Sequence, residues 1–464
     1  MDAPPPSTEA PTCLGCLARD RRIAELEARV AALEAKLEAL ARASKRQAAP
    51  FSKGPPAADP KRPGRKPGAD YGPKAFRAIP PVIDETYDAP LPPRCPYCGG
   101  QVELSHLDHQ YQVEIPRRPI CRQFNVAVGR CTCCRKRVQG RHPLQTSDAL
   151  GCCASQIGPE AQAAVVLLNK ELGLAQGKIS RFFHALFGIT VSRGGSCQIM
   201  LRAGQRLQEN DQAIRRHIRN SPWLVPDETG WRIAGRPAWL HVAVGQGAVT
   251  YLVHTRRGLE ASALLIGRDY AGTLIHDGWS PYGKFWRAAH QTCLGHLLAR
   301  CKELLETAVG GAVHFPRQVK AWLQDALAVR DRRDAGAIAP ATAARQARRL
   351  QARMETRLQP IKTHAGNERL AAHLWAHQRE LFTFLRVSGI DATNWRAEQA
   401  LRPAVVNRKV WGGNRTEAGA HAQGVLLSVL GTARLIKVEA VQFIAQVLRA
   451  LPGQRPLLLG AGTG

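Results

Sequence analysis

Acidic residues are scarce in this chain: 37 Asp and Glu stand against 65 Lys and Arg over 464 residues, a formal net charge of +28. Such an imbalance is too large for an ordinary soluble enzyme and is directed at polyanions, so nucleic acid is the expected partner. Also missing is any apolar run near the roughly 20 residues that a membrane helix needs, which excludes a membrane span from the expectation. The first residues, Met1-Asp2-Ala3-Pro4-Pro5, are neither basic nor apolar, as a secretory leader would be. The expected location is the cytoplasm. In that reducing compartment the 13 cysteines are not expected to form disulfides, and their spacing tells more than their number.

Two cysteine clusters have the form of zinc knuckles: Cys95-Pro96-Tyr97-Cys98-Gly99-Gly100 and Cys131-Thr132-Cys133-Cys134. With β-like segments at 111–115 and 124–128 between them, they suggest a zinc ribbon over residues 94–145. Zn²⁺ favours four tetrahedral thiolates. The expected ligands are Cys95, Cys98, Cys131 and Cys134, with Cys133 as a substitute and chance clustering as the alternative. Arg135, Lys136 and Arg137 leave the second knuckle as candidate phosphate contacts, or as a solvated surface. Cys121, Cys152, Cys153, Cys197 and Cys301 follow no pairing logic and are expected to be buried thiols.

Upstream, Ile23, Leu26, Val30, Leu33, Leu37 and Leu40 alternate by three and four residues. Mostly β-branched a positions with Leu at d predict a parallel coiled-coil dimer through residues 23–40, within a segment spanning 18–43; the alternative is one amphipathic helix packed on its own chain. Cys13 and Cys16 form a further Cys-x-x-Cys pair, with free thiols as the plain reading. Residues 44–93 are rich in Pro, Lys, Arg and Gly, cannot bury a core and form a basic linker. Within it, Lys61-Arg62-Pro63-Gly64-Arg65-Lys66-Pro67-Gly68 resembles a minor-groove hook, with Arg65 and Lys66 as contacts, or a simple tether. Helices at 159–172, 175–187 and from Ser192 onward predict a helix-turn-helix-like domain over 155–215. Arg193, Gln198 and Arg202 are its candidate DNA contacts, unless the domain is purely structural.

From residue 220 the pattern changes. β-type runs at 223–226, 238–244 and 249–254, punctuated by Gly230, Gly235, Gly245 and Gly247, precede a short helix and a fourth strand at 273–276. In a β-β-β-α-β order, an antiparallel meander followed by a right-handed crossover places the end of the first strand beside the end of the fourth. Those ends carry Asp227 and Asp277. This is the core of the ribonuclease H-like fold, in which a third acid arrives on a later helix. Glu398 is the expected third acid, with Glu417 as the alternative; Glu228 is expected on the opposite face of its strand. Mg²⁺ takes carboxylate and phosphate oxygens, and two such ions can serve both the attacking and the leaving oxygen of a phosphodiester exchange. The core is expected over 220–420, with a basic helical insertion at about 297–390, followed by a C-terminal helical segment over 421–464. The expected class is thus multidomain α+β, comprising a coiled coil, a zinc ribbon, a helical domain and a ribonuclease H-like α/β core. Arg402, Arg408 and Lys409, which follow Glu398, are further candidate phosphate contacts.

Taken in order, Asp227-Glu228-Thr229-Gly230-Trp231-Arg232, Trp239-Leu240, His276-Asp277-Gly278-Trp279-Ser280-Pro281-Tyr282 and Cys293-Leu294-Gly295-His296-Leu297 resemble the IS66 family of bacterial insertion-sequence transposases. Asn394-Trp395-Arg396-Ala397-Glu398-Gln399-Ala400-Leu401-Arg402-Pro403 is similar to the family pattern Asn-Asn-x-Ala-Glu-Arg-x-Leu-Arg-Pro, with Trp395 and Gln399 as departures. The resemblance implies a DDE transposase, using Mg²⁺ or Mn²⁺, that cleaves the terminal inverted repeats of its element and joins 3′-hydroxyl ends to target DNA. It also implies accessory proteins from the same element and a nucleoid-associated location in a bacterial cytoplasm. Cys293 and His296 are expected to support the site structurally rather than to bind zinc, or simply to pack in the core. A silent, transposase-derived DNA-binding regulator and a plain nuclease are the other readings.

Overall fold

The computed structural model describes residues 22–30, 32–33, 79–113, 115, 118–151 and 156–460. Met1–Pro116 and Arg117–Gly464 form two compact units. In the first, residues 22–30 and 32–33 are helical, and the apolar stripe of Ile23, Leu26, Val30 and Leu33 stands exposed. Leu37, Leu40, Arg65, Lys66, Cys13 and Cys16 lie outside the described residues, as do Cys152 and Cys153.

Each cysteine knuckle closes on itself. The Cys95 N–H donates to the Gly100 carbonyl and Gly99 N–H to the Cys95 carbonyl, at 2.9 and 2.8 Å; the Cys131 N–H donates to the Lys136 carbonyl and Arg135 N–H to the Cys131 carbonyl, at 2.9 and 3.0 Å. Gly99 (φ 75°) and Arg135 (φ 58°) occupy the same left-handed corner of the two turns. Backbone N–H groups of Tyr97 and Cys98 lower the pKa of Cys95, and those of Cys134 and Cys133 lower that of Cys131. Of the expected zinc ligands, Cys95 and Cys98 lie in the first unit, and Cys131 and Cys134 in the second. Among the described residues no group of three or more His, Cys, Asp or Glu is arranged to hold a metal ion. Each turn is satisfied by its own backbone bonds, and the second is flanked by a short hairpin of β1 (Val128–Arg130) with β2 (Arg137–Gln139).

Four helices follow: α1 (Pro159–Lys170), α2 (Gln176–Phe187), α3 (Arg193–Arg206) and α4 (Gln208–Arg219). The breaks fall where the sequence places them. Gly188 ends α2 in the left-handed conformation at φ 65°, and the Ser192 hydroxyl caps α3 by accepting from Gly195 N–H.

The sheet contains β3 (Trp223–Ile233), β4 (Arg236–Gly245), β5 (Ala248–His254), β6 (Thr273–His276) and β7 (Ala289–Thr292), ordered β5-β4-β3-β6-β7. β3, β4 and β5 form an antiparallel meander; helix α5 (Leu259–Ile266) then returns the chain so that β6 lies parallel to β3, and β7 parallel to β6. The first strand is longer than its 223–226 apolar run, because Gly230 and Arg232 stay in register with Trp239 and Pro237. β7 was not legible: Ala-His-Gln-Thr carries no apolar alternation and is a strand only because β6 offers it a parallel edge.

Period-2 alternation divides the core between the two faces. Val225, Trp231, Leu240, Val242 and Ile275 join one apolar cluster. It also takes in α6 (Leu294–Thr307), α7 (His314–Asp334), α8 (Pro340–Leu358), α9 (Ala365–Ala376), α10 (Thr383–Arg386) and α11 (Trp395–Trp411). Those between β7 and α11 occupy the stretch where a helical insertion is expected. Leu224, Ala243 and Leu274 face the other cluster with α1, α3, α4 and the C-terminal helices α12 (Glu417–Leu435) and α13 (Ala440–Arg449). The helical domain expected to end at 215 is therefore continuous with the sheet's packing rather than a body apart. Among the described residues no helix is long and apolar enough to cross a membrane.

β5 is a sheet edge, and α12 satisfies its outward backbone groups. Tyr251 N–H donates to the Ser428 hydroxyl at 2.9 Å, and Val249 N–H to the Thr432 hydroxyl at 3.1 Å, which donates back to the Val249 carbonyl. Close approach depends on Gly424, where an added Cβ would stand 2.9 Å from the Tyr251 carbonyl oxygen. Ser428→Ala and Thr432→Val should each lower stability by about 1–2 kcal/mol by orphaning a buried N–H. Urea unfolding checks this, and midpoints unchanged in both variants would refute it.

Candidate active site

Three acids approach one another on the face covered by α11 and the insertion. Asp227 lies within β3, opposite Val242 of β4. Asp277 follows the last residue of β6, and because β6 runs parallel to β3 the two acids emerge at neighbouring points. Glu398 occupies the first turn of α11. Burial chiefly, then the fields of Glu228, Asp277 and Glu398, push the Asp227 carboxyl up to about 7, although the Glu228 N–H bonded to its Oδ1 at 2.8 Å works the other way. Asp277 Oδ1 accepts from Trp279 N–H at 2.9 Å, fixing the turn after β6. Glu417 is exposed at the start of α12 and is not among the charges acting on Asp227.

Cys293 and His296 join the two halves of this site. Cys293, 1% exposed, donates its N–H to the His276 carbonyl at 2.7 Å. Its sulfur accepts from Asn394 N–H, just ahead of α11, at 3.4 Å. It thereby ties the strand before Asp277 to the helix that carries Glu398. His296 Nε2 lies 3.9 Å from Glu398 Oε1. A hydrogen bond to the Cys293 sulfur, more than the Asp277 and Glu398 carboxylates, raises its pKa to about 9 against the effect of burial. The imidazolium places one positive charge beside the acids.

Glu228 points to the opposite face from Asp227, as strand geometry requires. Its carboxylate accepts from Arg257 at 2.9 and 2.8 Å and from the Tyr282 hydroxyl at 2.7 Å, while Arg257 lies 4.7 and 4.6 Å from the ring centres of Trp239 and Trp279. Arg257 and Tyr282 were not singled out in the sequence, since neither spacing nor periodicity pairs them with Glu228.

Behind Asp277 stands a group of histidines that the sequence also concealed. Gly278 N–H donates to His276 Nδ1 at 3.0 Å. That leaves the proton of this ring on Nε2, 3.0 Å from His290 Nδ1, so His290 donates from Nε2 to the Phe285 carbonyl at 3.2 Å. The same bonds argue against His276 Nε2 as a metal ligand. From the insertion, Glu380 accepts from His377 at 2.9 Å and from Thr292 at 2.8 Å. Burial pushes the Glu380 carboxyl up, but these bonds outweigh it and the net shift is downward. Gly278 has φ 89°, and a Cβ there would meet His373 at 2.9 Å. Gly278→Ala should therefore cost about 2 kcal/mol, from strained backbone plus overlap. A urea midpoint equal to wild type would show that the turn yields freely.

The sequence model of the transposase IS66 family matches residues 154–422, more than half of the chain and all three acids. The chain belongs to the IS66 family of transposases. No curated protein matches it. In this transposase family member the match begins ahead of α1 and ends inside α12, which agrees with packing in which those helices and the sheet share one core.

The DNA contacts expected from the sequence divide by environment. Arg135, Lys136, Arg137, Arg193, Arg402 and Lys409 are exposed. Arg408 is not available in the same way: its guanidinium donates to the Thr229 hydroxyl at 3.0 Å and to the Gly230 carbonyl, strapping α11 to β3. Arg408 is only partly buried, and Gly230 has no side chain to hold its guanidinium off.

The acids offer oxygen donors of the kind that divalent cations take. Asp227, its pKa raised chiefly by burial and further by three neighbouring carboxylates, is a donor whose ionised form a cation would favour. The donor types are those that Mg²⁺ or Mn²⁺ takes, although in this structure the three carboxylates are not drawn together into a group that would hold an ion.

Proposed function

We propose that this chain is a DNA transposase that binds the terminal inverted repeats of an insertion sequence, cleaves its ends and joins the 3′-hydroxyls to target DNA. One observation carries the reading: Asp277 and Glu398, which lie 121 residues apart in the chain, both act on the half-buried Asp227. Asp227, Asp277 and Glu398 would hold the divalent cation. When bound, such cations activate the attacking oxygen and stabilise the leaving one.

The chain's own groups would do the rest. Asp277 is presented by a turn held through Trp279 N–H, Gly278 and His276, and Glu398 is steadied by the His296 cation. Exposed Arg402, Lys409 and Arg193 would lie along phosphates, with Arg135, Lys136 and Arg137 adding contacts from the hairpin. The exposed stripe of Ile23, Leu26, Val30 and Leu33 would pair with a second copy, bringing two DNA ends together. Arg65 and Lys66 would add minor-groove contacts, and accessory proteins of the element would complete the assembly.

The test is cleavage and joining on DNA flanking the gene, with Mg²⁺, Mn²⁺ or EDTA. Metal-dependent release of 3′-hydroxyl ends and their appearance in a target plasmid support the proposal. Specific binding without cutting in either metal would favour a silent DNA-binding regulator instead.

A further inference from the structure

We propose that Trp395 is a stacking platform for an unpaired nucleobase at the end of the DNA strand held at the acids. The inference rests on the transposase reading and adds to it a base-binding site on this chain's own side chain. Trp395 is the first residue of α11, three before Glu398, so the two share a helical face. One turn of helix separates them by about 5 Å of axis, a distance spanned by one or two nucleotides at roughly 3.4 Å of axis each.

The indole is held without being covered. Arg396 lies between two tryptophans, its guanidinium carbon 5.3 Å from the Trp223 ring centre and 5.0 Å from that of Trp395. Arg396 is itself anchored by the Asp391 carboxylate at 2.5 Å. Trp223 packs against the apolar core, but Trp395 is not part of it and remains 46% exposed. Core packing therefore does not account for Trp395, and an anchored, half-exposed ring can receive a base with little loss of side-chain freedom. Arg396 adds a cation beside it, which complements a polyanion.

Chemistry selects the occupant. Inside a duplex both faces of a base are covered by its neighbours, so only a terminal or unpaired base has a face to offer. Stacking on an aromatic ring accepts any base, and the platform should recognise an open end rather than a sequence. Because Trp395 departs from the Asn of the resembled family pattern, this property would belong to this chain rather than to the pattern.

The experiment uses the full chain and two probes, a 20-base-pair blunt duplex and the same duplex with two unpaired 3′ nucleotides, the last being 2-aminopurine. Ca²⁺, which also takes carboxylate oxygens, is present, and probe integrity is followed on a gel. Wild type should bind the tailed probe about ten-fold more tightly than the blunt one and quench its emission about three-fold. Trp395→Ala should lose both effects while binding the blunt duplex as wild type does, and Trp395→Phe should restore most of each. Equal wild-type affinity for the two probes, or undiminished quenching by Trp395→Ala, overturns the platform and leaves the DNA reading intact. A loss of affinity in Trp395→Ala that is equal on both probes assigns the side chain to structure and also overturns it. If wild type binds neither duplex, the transposase reading itself fails and the platform falls with it.

Discussion

An Asp277→Asn protein should bind DNA at least as well as wild type yet cut it at least about 10³-fold more slowly, a barrier increase of about 4 kcal/mol. The substitution is nearly isosteric, and the retained side-chain oxygen can still accept from Trp279 N–H, so the turn after β6 survives. What disappears is one negative charge from the group facing the substrate, and with it a ligand for the divalent cation. Binding is therefore not expected to suffer, because a repulsion toward phosphate is also removed. Asp227→Asn and Glu398→Gln should show the same split between binding and cutting. Glu417→Gln should leave cleavage within about two-fold of wild type, since surface changes away from such features have small effects. Single-turnover cleavage beside a binding titration measures both quantities. A wild-type rate for Asp277→Asn would sink the assignment, and loss of cutting in Glu417→Gln with none in Glu398→Gln would transfer the third role.

Lys170 should make the stability of the transposase rise with pH by about 3 kcal/mol between pH 7 and 9.5. Its side chain, 4% exposed, reaches Gln423 Oε1 at 2.5 Å and lies 5.2 Å from the Trp411 ring centre. Among the described residues no carboxylate pairs with it. Burial lowers its pKa from 10.5 to about 7. The sign follows from proton counting: between about 7 and 10.5 the unfolded chain holds a proton that the folded chain has released. Raising the pH through that window favours the folded state, at roughly 1.4 kcal/mol per pH unit. Below pH 7 both states are protonated and this contribution is level. Lys170→Met should flatten the slope and gain about 2 kcal/mol at pH 7, less than the whole desolvation cost because Gln423 loses its donor. Urea unfolding of both proteins at pH 7 and 9.5 decides the matter. Identical slopes would mean that the amine stays charged in the folded state. Lys170 also ties α1 to α11, since its carbonyl accepts from Asn407 at 2.8 Å.

The chemistry of this protein was written in local patterns. Asp227 and Asp277 each end or interrupt a β-type run, and three strands, a helix and a fourth strand predict their meeting because chain reversal and crossover handedness are local rules. Ser192 and Gly188 mark helix ends that the structure keeps, since capping involves only residues a few positions apart. The excess of Lys and Arg over acids names a polyanionic partner by composition alone.

Tertiary structure decided whatever depends on partners distant in the chain. Arg408 has the sequence context of a phosphate contact, and only the proximity of Thr229 and Gly230 binds it to β3. β7 exists because β6 offers it an edge, and the histidines behind Asp277 meet because the insertion returns to the sheet. The two cysteine knuckles, by contrast, formed as local turns, because each satisfies its own backbone groups within a few residues. Sequence by itself determined the candidate residues for the proposed chemistry and the turns and helices that present them. Their burial, their neighbours and hence their proton affinities were set by packing, since desolvation and Coulomb energy depend on distance in space rather than on separation along the chain.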